Sequence, residues 1–295
     1  MPELFVVATP IGNLKDLSPR ALFILRSADL ILAEDTRVTR KLLTALDVKT
    51  PLESCHEHNE AHKSADIIRR MLEADLVVAL VTDAGTPAVS DPGARVVRSA
   101  HEANIRVTAV PGPSAFAAAL SVCGFEETEF TFFGFLPRKK TELLNKLRAM
   151  SGFARLAVIY ESPHRILALL EAIGQVYPDA EVSVSREISK VHEQTLKGTA
   201  KELHAQFESA QETRRGEFCL VLRVPETGDE SQESEAPTSL EAKLTDRLLE
   251  GLSPREAMDR LTALGEKRNR VYQAWLNLKR MADGMQKGGD EDSAI

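Results

Sequence analysis

Three segments rich in glycine, proline and small side chains each follow an apolar run of strand type. They are ATPIGNL at residues 8–14, TDAGTPAVSDPG at residues 82–93 and VPGPSA at residues 110–115. Such loops present bare backbone N–H and C=O groups, and their glycines let a ligand approach the main chain closely. Ligands of open α/β sheets bind at the carboxyl ends of the strands. We therefore expect the three loops to meet at one ligand-binding cleft.

The spacing of the glycines argues against two common nucleotide sites. None of the loops has the GxGxxG pattern of dinucleotide-binding folds or the GxxxxGK[ST] pattern of phosphate-binding loops. Taken alone, residues 8–14 are most simply a tight turn, and residues 82–93 could be a solvated connection. The presence of all three loops favours a shared cleft over unrelated turns.

Charged side chains near predicted strand ends are the candidates for proton transfer, which typically contributes about 10² to 10⁴ in rate. Glu34 and Asp35 follow the second predicted strand, where they could instead place negative charge at a helix N-terminus. Arg186 and Glu187 could likewise form a structural ion pair. The six candidate catalytic residues are Glu34, Asp35, Glu161, Arg186, Glu187 and Lys190.

Histidine and cysteine spacing gives little support for a metal site. His56, His58 and His62 are suitably spaced, and the first two are further candidates for a base, but no carboxylate or cysteine set completes a ligand shell. Three distant cysteines without CxxC spacing indicate buried, reduced thiols. We expect no metal.

The net charge of −7 is unevenly distributed over the 295 residues. Residues 225–241 hold six acids and no base, whereas residues 242–282 hold nine lysines and arginines against five acids. An acidic total argues against a nucleic-acid partner, but a locally basic segment permits one. No apolar run reaches the roughly 18 residues of a membrane span, and the opening residues lack the basic n-region and the cleavage site that are typical of a signal peptide. We expect a cytoplasmic protein without a membrane partner.

Apolar runs alternate with helical patterns in two successive series, which predicts an α/β fold. Residues 1–122 are expected to form an N-terminal α/β domain and residues 123–224 a second one. Residues 225–238 are too poor in large apolar side chains to order themselves and predict a flexible acidic linker. Residues 239–282 predict a helical module, and residues 283–295 a disordered tail.

Nine motifs follow one another in a fixed order along the chain. They are ATPIGNL, AEDTR, HEHN, DAGTPAVSDPG, VPGPSA, GFLPRK, YESPHR, REISK with a following glutamate, and RRGEFCLVL. On these motifs the chain resembles the small-subunit ribosomal RNA (cytidine-2′-O)-methyltransferases, a branch of the tetrapyrrole methylase superfamily. The resemblance covers residues 4–224, and the trailing helices resemble that branch's small helix-turn-helix-like domain; the linker and the tail have no match.

The resemblance implies two αβα domains with S-adenosylmethionine in the cleft between them, and usually a homodimer. It also implies methylation of the ribose of a cytidine in the decoding region of 16S ribosomal RNA, with the helical module docking on the small-subunit RNA. By position in the motifs, the expected cofactor-binding residues are Pro10, Gly12, Asp83, Ala84, Gly85, Thr86, Ser90, Asp91, Ser114, Ala115, Phe135 and Tyr160.

Two other functions remain open at this point. A methylase of a tetrapyrrole or another small acceptor would share the cofactor cleft but would not need the basic module, which ribosomal phosphate contacts require. A non-catalytic ribosome-binding protein would not bind S-adenosylmethionine. Four phenylalanines are expected to form part of the core and of the cleft wall, with a base-stacking platform as the alternative. They are Phe130, Phe132, Phe133 and Phe135.

Overall fold

The computed structural model describes residues 1–210, 216–225, 240–249, 251–264, 266 and 268–288, with side chains up to residue 279. The chain divides into two compact units, residues 1–228 and 229–295. Apart from Pro225, the linker predicted at residues 225–238 lies outside the described residues, as do Lys267 and most of the predicted tail.

The first sheet is entirely parallel and has the strand order β3-β2-β4-β1-β5. Its central strands are buried apolar runs, as expected for a parallel sheet covered by helices on both faces. One strand, β3, has only three residues and was not predicted from the sequence. The strands are β1 (Glu3–Val7), β2 (Leu30–Ala33), β3 (Leu52–Ser54), β4 (Val77–Val81) and β5 (Arg106–Val110).

The second sheet is mixed and has the order β6-β7-β10-β8-β9. Only β6 and β7 pair in parallel, while β10 runs antiparallel to both β7 and β8. The amino end of β10 therefore lies beside the carboxyl end of β7. The strands are β6 (Phe130–Phe135), β7 (Leu156–Glu161), β8 (Glu181–Arg186), β9 (Gln194–Thr199) and β10 (Phe218–Arg223).

Capping residues explain where several helices of the first unit begin. Ser18 accepts a hydrogen bond from the Ala21 N–H and is followed by Pro19 at the first helical position. Thr199 forms a capping box with Glu202. Ser114 occupies the N-cap position of α5 but makes no side-chain capping bond. The helices are α1 (Pro19–Ser27), α2 (Thr36–Ala45), α3 (Glu60–Ala74), α4 (Ala94–Glu102), α5 (Ala115–Val122), α6 (Lys140–Met150), α7 (Ile166–Val176) and α8 (Ala200–Ser209).

Both sheets have apolar cores on their two faces, which gives the unit two αβα domains. Helix α5 follows the last strand of the first sheet, yet its Ala119 packs with Val158 and Val221 of the second sheet. The helix thus links the two sheets, close to the domain boundary proposed at residue 122.

The second unit is a small helical module built around Leu244, Leu261 and Val271. Its second helix starts with a capping box between Ser253 and Glu256, and Pro254 takes the first helical position. The helices are α9 (Leu240–Leu249), α10 (Pro254–Ala263) and α11 (Arg268–Gly288). Among the described residues, no helix combines the length and the apolar character needed to cross a membrane.

Candidate functional site

The three small-residue loops are joined to one another by backbone hydrogen bonds. The Thr9 N–H donates to the Gly85 carbonyl at 2.8 Å, and the Gly85 N–H donates back to the Thr9 carbonyl at 3.1 Å. Gly85 has a φ of +82°, a conformation that glycine adopts at little cost. The Thr86 hydroxyl donates to the Pro113 carbonyl at 3.3 Å. As the sequence predicted, the loops meet at one edge of the first sheet.

A cavity of about 350 Å³ lies between this edge and the second sheet. The second sheet contributes the carboxyl ends of β6 and β7, the amino end of β10 and the turn after β8. We call this space the donor cavity. Its walls are formed by Ile11, Glu34, Asp83, Ala84, Gly85, Thr86, Val89, Asp91, Ser114, Ala115, Phe135, Tyr160, Glu161, Ser162, Pro163, Ile188, Glu217, Phe218 and Cys219.

Most of the expected cofactor-binding residues line the donor cavity, but three do not. Pro10 and Gly12 line a neighbouring pocket of about 320 Å³ that shares Asp83 with it. The Ser90 hydroxyl lies against Gly134, where a Cβ would come within 2.8 Å of it. Gly134 has a φ of +60° beside an irregularity in the β6–β7 register. Ser90 therefore contacts the second domain at a bulge.

Acidic side chains dominate the charge of the donor cavity. Burial raises the pKa of Asp91 to about 6, and the negative charges of Glu34, Asp83 and Glu217 raise it further. Burial also raises the pKa of Asp83, with repulsion from Glu34 as a lesser cause. The Thr82 hydroxyl donates to Glu34 at 2.7 Å and so fixes that carboxylate. Carboxylates gathered in this way favour a cationic ligand.

Glu161 brings a fifth carboxylate to the donor cavity from the end of β7. Its side chain is fully buried, and burial raises its pKa despite a 2.7 Å hydrogen bond from the Ser162 N–H and the nearby Arg165. The Oε2 atom lies 3.2 Å from the Arg165 guanidinium but has no hydrogen-bond partner of good geometry. A buried, unpartnered carboxylate oxygen at a cavity wall is suited to a ligand donor.

The aromatic and thiol groups of the wall are held by packing. The Tyr160 hydroxyl accepts a hydrogen bond from the Phe116 N–H at 3.2 Å, and burial raises the pKa of the phenol. Its ring meets those of Phe132 and Phe135 edge-on, with centroids 5.0 and 5.9 Å apart. Cys219 is free and buried like the other two cysteines, and burial raises its pKa to about 12.

The two carboxylates after β2 occupy different environments. Glu34 lines the donor cavity, whereas Asp35 accepts the Arg37 N–H at the N-cap of α2 and forms an ion pair with the Arg37 guanidinium at 2.6 Å. This side-chain hydrogen bond lowers the pKa of Asp35 to about 2. A carboxylate so weakly basic is poorly suited to remove a proton.

Arg186 is the last residue of β8, and Glu187 and Lys190 belong to the turn that follows it; none of the three lines the donor cavity. The Lys190 ammonium donates to Glu187 at 2.8 Å and to Glu217 at 3.2 Å, and Glu217 does line the cavity. Burial disfavours the Glu187 charge, but Lys190 outweighs it and the pKa falls. Arg186 donates to Gln194 at 3.0 Å. Lys190 therefore supports the cavity wall through Glu217, without lining the cavity itself.

The same turn docks on the first loop. A Cβ at Gly12 would overlap the Lys190 side chain and approach the Ile188 carbonyl within 3.0 Å. The Ser189 hydroxyl hydrogen-bonds to Asp16. The motifs around residues 8–14 and 186–193 are therefore two halves of one contact between the domains, which we call the clasp.

Two acidic residues of the site were not predicted. Glu217 follows Gly216, whose φ is +88° and where a Cβ would overlap the Glu187 carboxylate. Glu60 is 6% exposed, and its carboxylate accepts the Gly93 and Arg95 N–H groups at 3.0 and 2.7 Å. It thereby holds the N-terminus of α4 and the end of the loop at residues 82–93. Its place directly after HEHN, at the start of an amphipathic helix, was the available signal.

No group of three or more potential metal ligands occurs in the part of the chain that the structure describes. His56 and His58 stack edge-on, with ring centroids 6.0 Å apart, and the buried Nδ1 of His56 has no hydrogen-bond partner there.

Comparison with known proteins identifies relatives over most of the chain. A protein from Xylella fastidiosa is 45% identical over 221 residues, which is 75% of this chain and 81% of its own. One from Pseudomonas aeruginosa is 41% identical over 92% of this chain and 95% of its own, and one from Synechocystis is 39% identical over 96% and 100%. Each is named ribosomal RNA small subunit methyltransferase I.

Solved structures share the fold of the first unit at lower identity. Uroporphyrin-III-C-methyltransferase from Thermus thermophilus gives a TM-score of 0.52 at 21% identity and covers 75% of this chain and 94% of its own. Cobalt precorrin-4 methyltransferase gives 0.53 at 18% identity and covers 74% and 94%. The family model of the tetrapyrrole (corrin/porphyrin) methylases matches residues 3–204. The chain belongs to the tetrapyrrole methylase family and, within it, to the ribosomal RNA small subunit methyltransferase I group.

Proposed function

We propose that this protein transfers a methyl group from S-adenosylmethionine to small-subunit ribosomal RNA, at the ribose 2′-hydroxyl of a cytidine in the decoding region. The names of relatives at 39–46% identity support methylation of this RNA. The cytidine, its 2′-hydroxyl and the decoding region rest on the motif resemblance. Such a substrate would place the protein in the cytoplasm. The resemblance also supports a homodimer, and light scattering would test this oligomeric state.

The donor cavity fits S-adenosylmethionine by charge. The sulfonium and the ammonium of this cofactor are positive, and the carboxylates of Asp83, Asp91 and Glu161 are arranged to attract them. The joined loops at residues 8–14, 82–93 and 110–115 add backbone donors and acceptors for its neutral polar groups. This acidic, loop-built cavity is the observation that carries the proposal. Pro10, Gly12 and Ser90 would shape its surroundings, and the other expected cofactor-binding residues would line it.

Catalysis would consist mainly of alignment. The bound donor supplies an electrophilic methyl group, and the acceptor oxygen must approach it in line with the bond that breaks. Holding two reactants in this geometry is worth about 7 to 11 kcal/mol. Among the candidate catalytic residues, Glu34 and Glu161 line the cavity and are the groups available to take the hydroxyl proton. Asp91 joins them because a pKa of about 6 suits a base near neutral pH.

Arg186, Glu187 and Lys190 would act on this reaction through the wall that they support. Lys190 fixes Glu217 and Glu187, and Asp35 fixes the start of α2. The sequence proposed a catalytic role for all four side chains; we now propose that they position the site.

The competing functions make different predictions for the same assay. Solved relatives that act on small macrocycles lie below 25% identity and indicate the fold alone. A methylase of a small acceptor would bind S-adenosylmethionine and leave the ribosomal RNA unmodified, and a ribosome-binding protein would not bind the cofactor.

In vitro methylation of small ribosomal subunits from a strain lacking this modification tests the proposal. We expect one methyl group, located by mass spectrometry on the ribose of a cytidine, so that the chain resists alkaline cleavage on its 3′ side. Gly85→Arg should abolish both methylation and calorimetric binding of S-adenosylmethionine because the side chain fills the cavity. A base-methylated nucleoside with a free 2′-hydroxyl would contradict the proposed acceptor.

A further inference from the structure

A second pocket of about 380 Å³ adjoins the donor cavity and shares Phe135, Glu161 and Ser162 with it. We call it the side pocket. Its other walls are Leu136, Pro137, Arg138 and Arg165. Pockets of roughly 300–1,000 Å³ hold small-molecule ligands. A nucleotide-sized ligand in the side pocket would therefore lie directly beside a ligand in the donor cavity.

The two arginines of the side pocket differ in what they already bind. The Arg165 guanidinium is only 25% exposed, forms an ion pair with Glu161, and donates to the Leu136 and Pro137 carbonyls at 3.1 Å each. Arg165 thus fixes the backbone of Leu136 and Pro137, the two residues between Phe135 and Arg138. Arg138 itself is exposed and makes no hydrogen bond or ion pair to any residue that the structure describes.

The two lysines that follow Arg138 both form ion pairs. Lys139 forms an ion pair with Glu142 at 3.0 Å, and Lys140 forms one with Glu171 at 3.2 Å. Neither lines the side pocket. Of these three consecutive positive charges, Arg138 alone faces the pocket, where its planar guanidinium suits a phosphate.

Phe135 provides a flat apolar surface at the border of the two cavities. The residue is 59% exposed although it is large and aromatic, and it rests edge-on against Tyr160. Exposed aromatic rings beside positive charge are typical of sites that stack an unpaired base and hold the adjoining phosphate. The ribose of such a nucleotide lies between its base and its phosphate. With the base at Phe135 and the phosphate at Arg138, the ribose would face Glu161 in the wall that the two cavities share.

We propose that the side pocket binds the acceptor nucleotide of an unpaired RNA segment, with the base against Phe135 and the phosphate on Arg138. This inference rests on the proposed function and specifies where its substrate enters. Arg165 is a positioning residue for this site.

The test compares Arg138→Ala with Lys140→Ala in the full chain, since both remove one exposed positive charge from the same segment. Binding to unmodified small ribosomal subunits is measured at several salt concentrations, together with methylation kinetics and calorimetric affinity for S-adenosylmethionine. We expect Arg138→Ala to weaken subunit binding and to reduce the slope of log affinity against log salt by about 0.7 to 0.9, the effect of one phosphate contact. Its affinity for S-adenosylmethionine and its folding should match those of the unaltered chain, and Lys140→Ala should bind subunits normally.

A second pair of variants tests the ring. Because Phe135 also lines the donor cavity, its variants are assayed at saturating S-adenosylmethionine. Phe135→Leu should lower kcat/KM for small subunits by about five-fold to about a hundred-fold, the range found for loss of one stacked base, while Phe135→Tyr retains it. Equal behaviour of Arg138→Ala and Lys140→Ala would overturn the inference, as would parallel losses of cofactor and subunit affinity in Arg138→Ala. Failure of the unaltered chain to methylate subunits would instead overturn the proposed function itself.

Discussion

The carboxylates of single residues in the donor cavity are disfavoured by burial and, for Asp83 and Asp91, also by repulsion from neighbouring carboxylates. Glu34, Asp83, Asp91, Glu161 and Glu217 line one space, and the pKa values of three of them, Asp83, Asp91 and Glu161, are raised chiefly by burial. A fold gains no stability from such an arrangement in the absence of a cation. Carboxyl groups with raised pKa values in a cleft are typical of functional sites.

Asp91 should couple pH to cofactor binding. Its folded-state pKa of about 6 exceeds the ordinary 3.8, so the folded protein holds this proton more tightly than the unfolded chain does. The resulting stabilisation is present at low pH and is lost as pH rises through about 6. A cation in the cavity favours the ionised form, so we expect affinity for S-adenosylmethionine to increase between pH 5 and pH 7. Calorimetry across this range measures the effect.

The variant Asp91→Asn should flatten that pH dependence and weaken binding at pH 7. Its Tm relative to the unaltered chain should rise between pH 4 and pH 7, because the asparagine never acquires the disfavoured charge. Asp179→Asn serves as the control, since Asp179 is exposed and lies outside the donor cavity. An unchanged pH profile in Asp91→Asn would show that another group carries the titration.

The sequence predicts individual residues well only where a loop directly follows a strand. Asp83, Gly85 and Ser114 could be placed in one cavity because their loops follow parallel strands of one sheet. Glu217 could not, since it enters the cavity only because β10 runs antiparallel to β7. Apolar runs do not encode strand direction, and three residues of β3 are too few for a pattern.

Among the elements, the turn between β8 and β9 has a demanding backbone conformation near the site. Glu187 and Ser189 adopt φ values of +50° and +68°, which side-chain-bearing residues seldom do. Contacts on both sides maintain the turn, through Lys190 and through the hydrogen bond between Ser189 and Asp16. The clasp therefore couples the shape of the donor cavity to the packing of one domain on the other.

Lys190→Met tests whether this lysine positions the wall or acts on the acceptor. The methionine retains the apolar contact with Gly12 but leaves Glu187, with only 19% of its side chain exposed, without its cation. Loss of hydrogen bonds to a charged group typically costs about 1 to 3 kcal/mol. We expect a decrease of this size in the free energy of unfolding, measured by urea denaturation, together with weaker binding of S-adenosylmethionine.

Lys201→Met is the control for Lys190→Met because Lys201 is exposed on α8 and lies outside the clasp. A fall in kcat with unchanged stability and cofactor affinity would mean that Lys190 acts directly in methyl transfer. The interpretation of the clasp would then be wrong.

At the scale of the whole molecule, each of the two units has its own apolar core. The first contains both sheets and the donor cavity, and the second is centred on Leu244, Leu261 and Val271. The acidic segment predicted to link them falls on residues outside those described. Because the donor cavity is lined by residues 11–219 alone, it does not require the second unit for its walls.

Positive charge in the second unit is concentrated in α11. Helices α9 and α10 balance their acids and bases, whereas α11 carries Arg268, Arg270, Lys279, Arg280 and Lys287 against a single Asp283. Arg268, Arg270 and Lys279 are exposed, while Val271 and Ala274 face the core of the unit. Exposed cations on a helix with its own apolar face are suited to phosphate contacts.

A chain ending at Pro225 should bind S-adenosylmethionine like the full chain but bind small ribosomal subunits more weakly. Each phosphate contact that is lost should flatten the dependence of log affinity on log salt by about 0.9 or less, and the two exposed arginines and one exposed lysine of α11 set the expected scale. Calorimetry with the cofactor and subunit binding at several salt concentrations measure the two affinities separately. The full chain with Arg268, Arg270 and Lys279 all changed to glutamine provides the matched comparison, because it retains the module's core. If truncation lowers both affinities equally, the second unit supports the first, and if neither affinity changes, the module has no part in binding the proposed substrate.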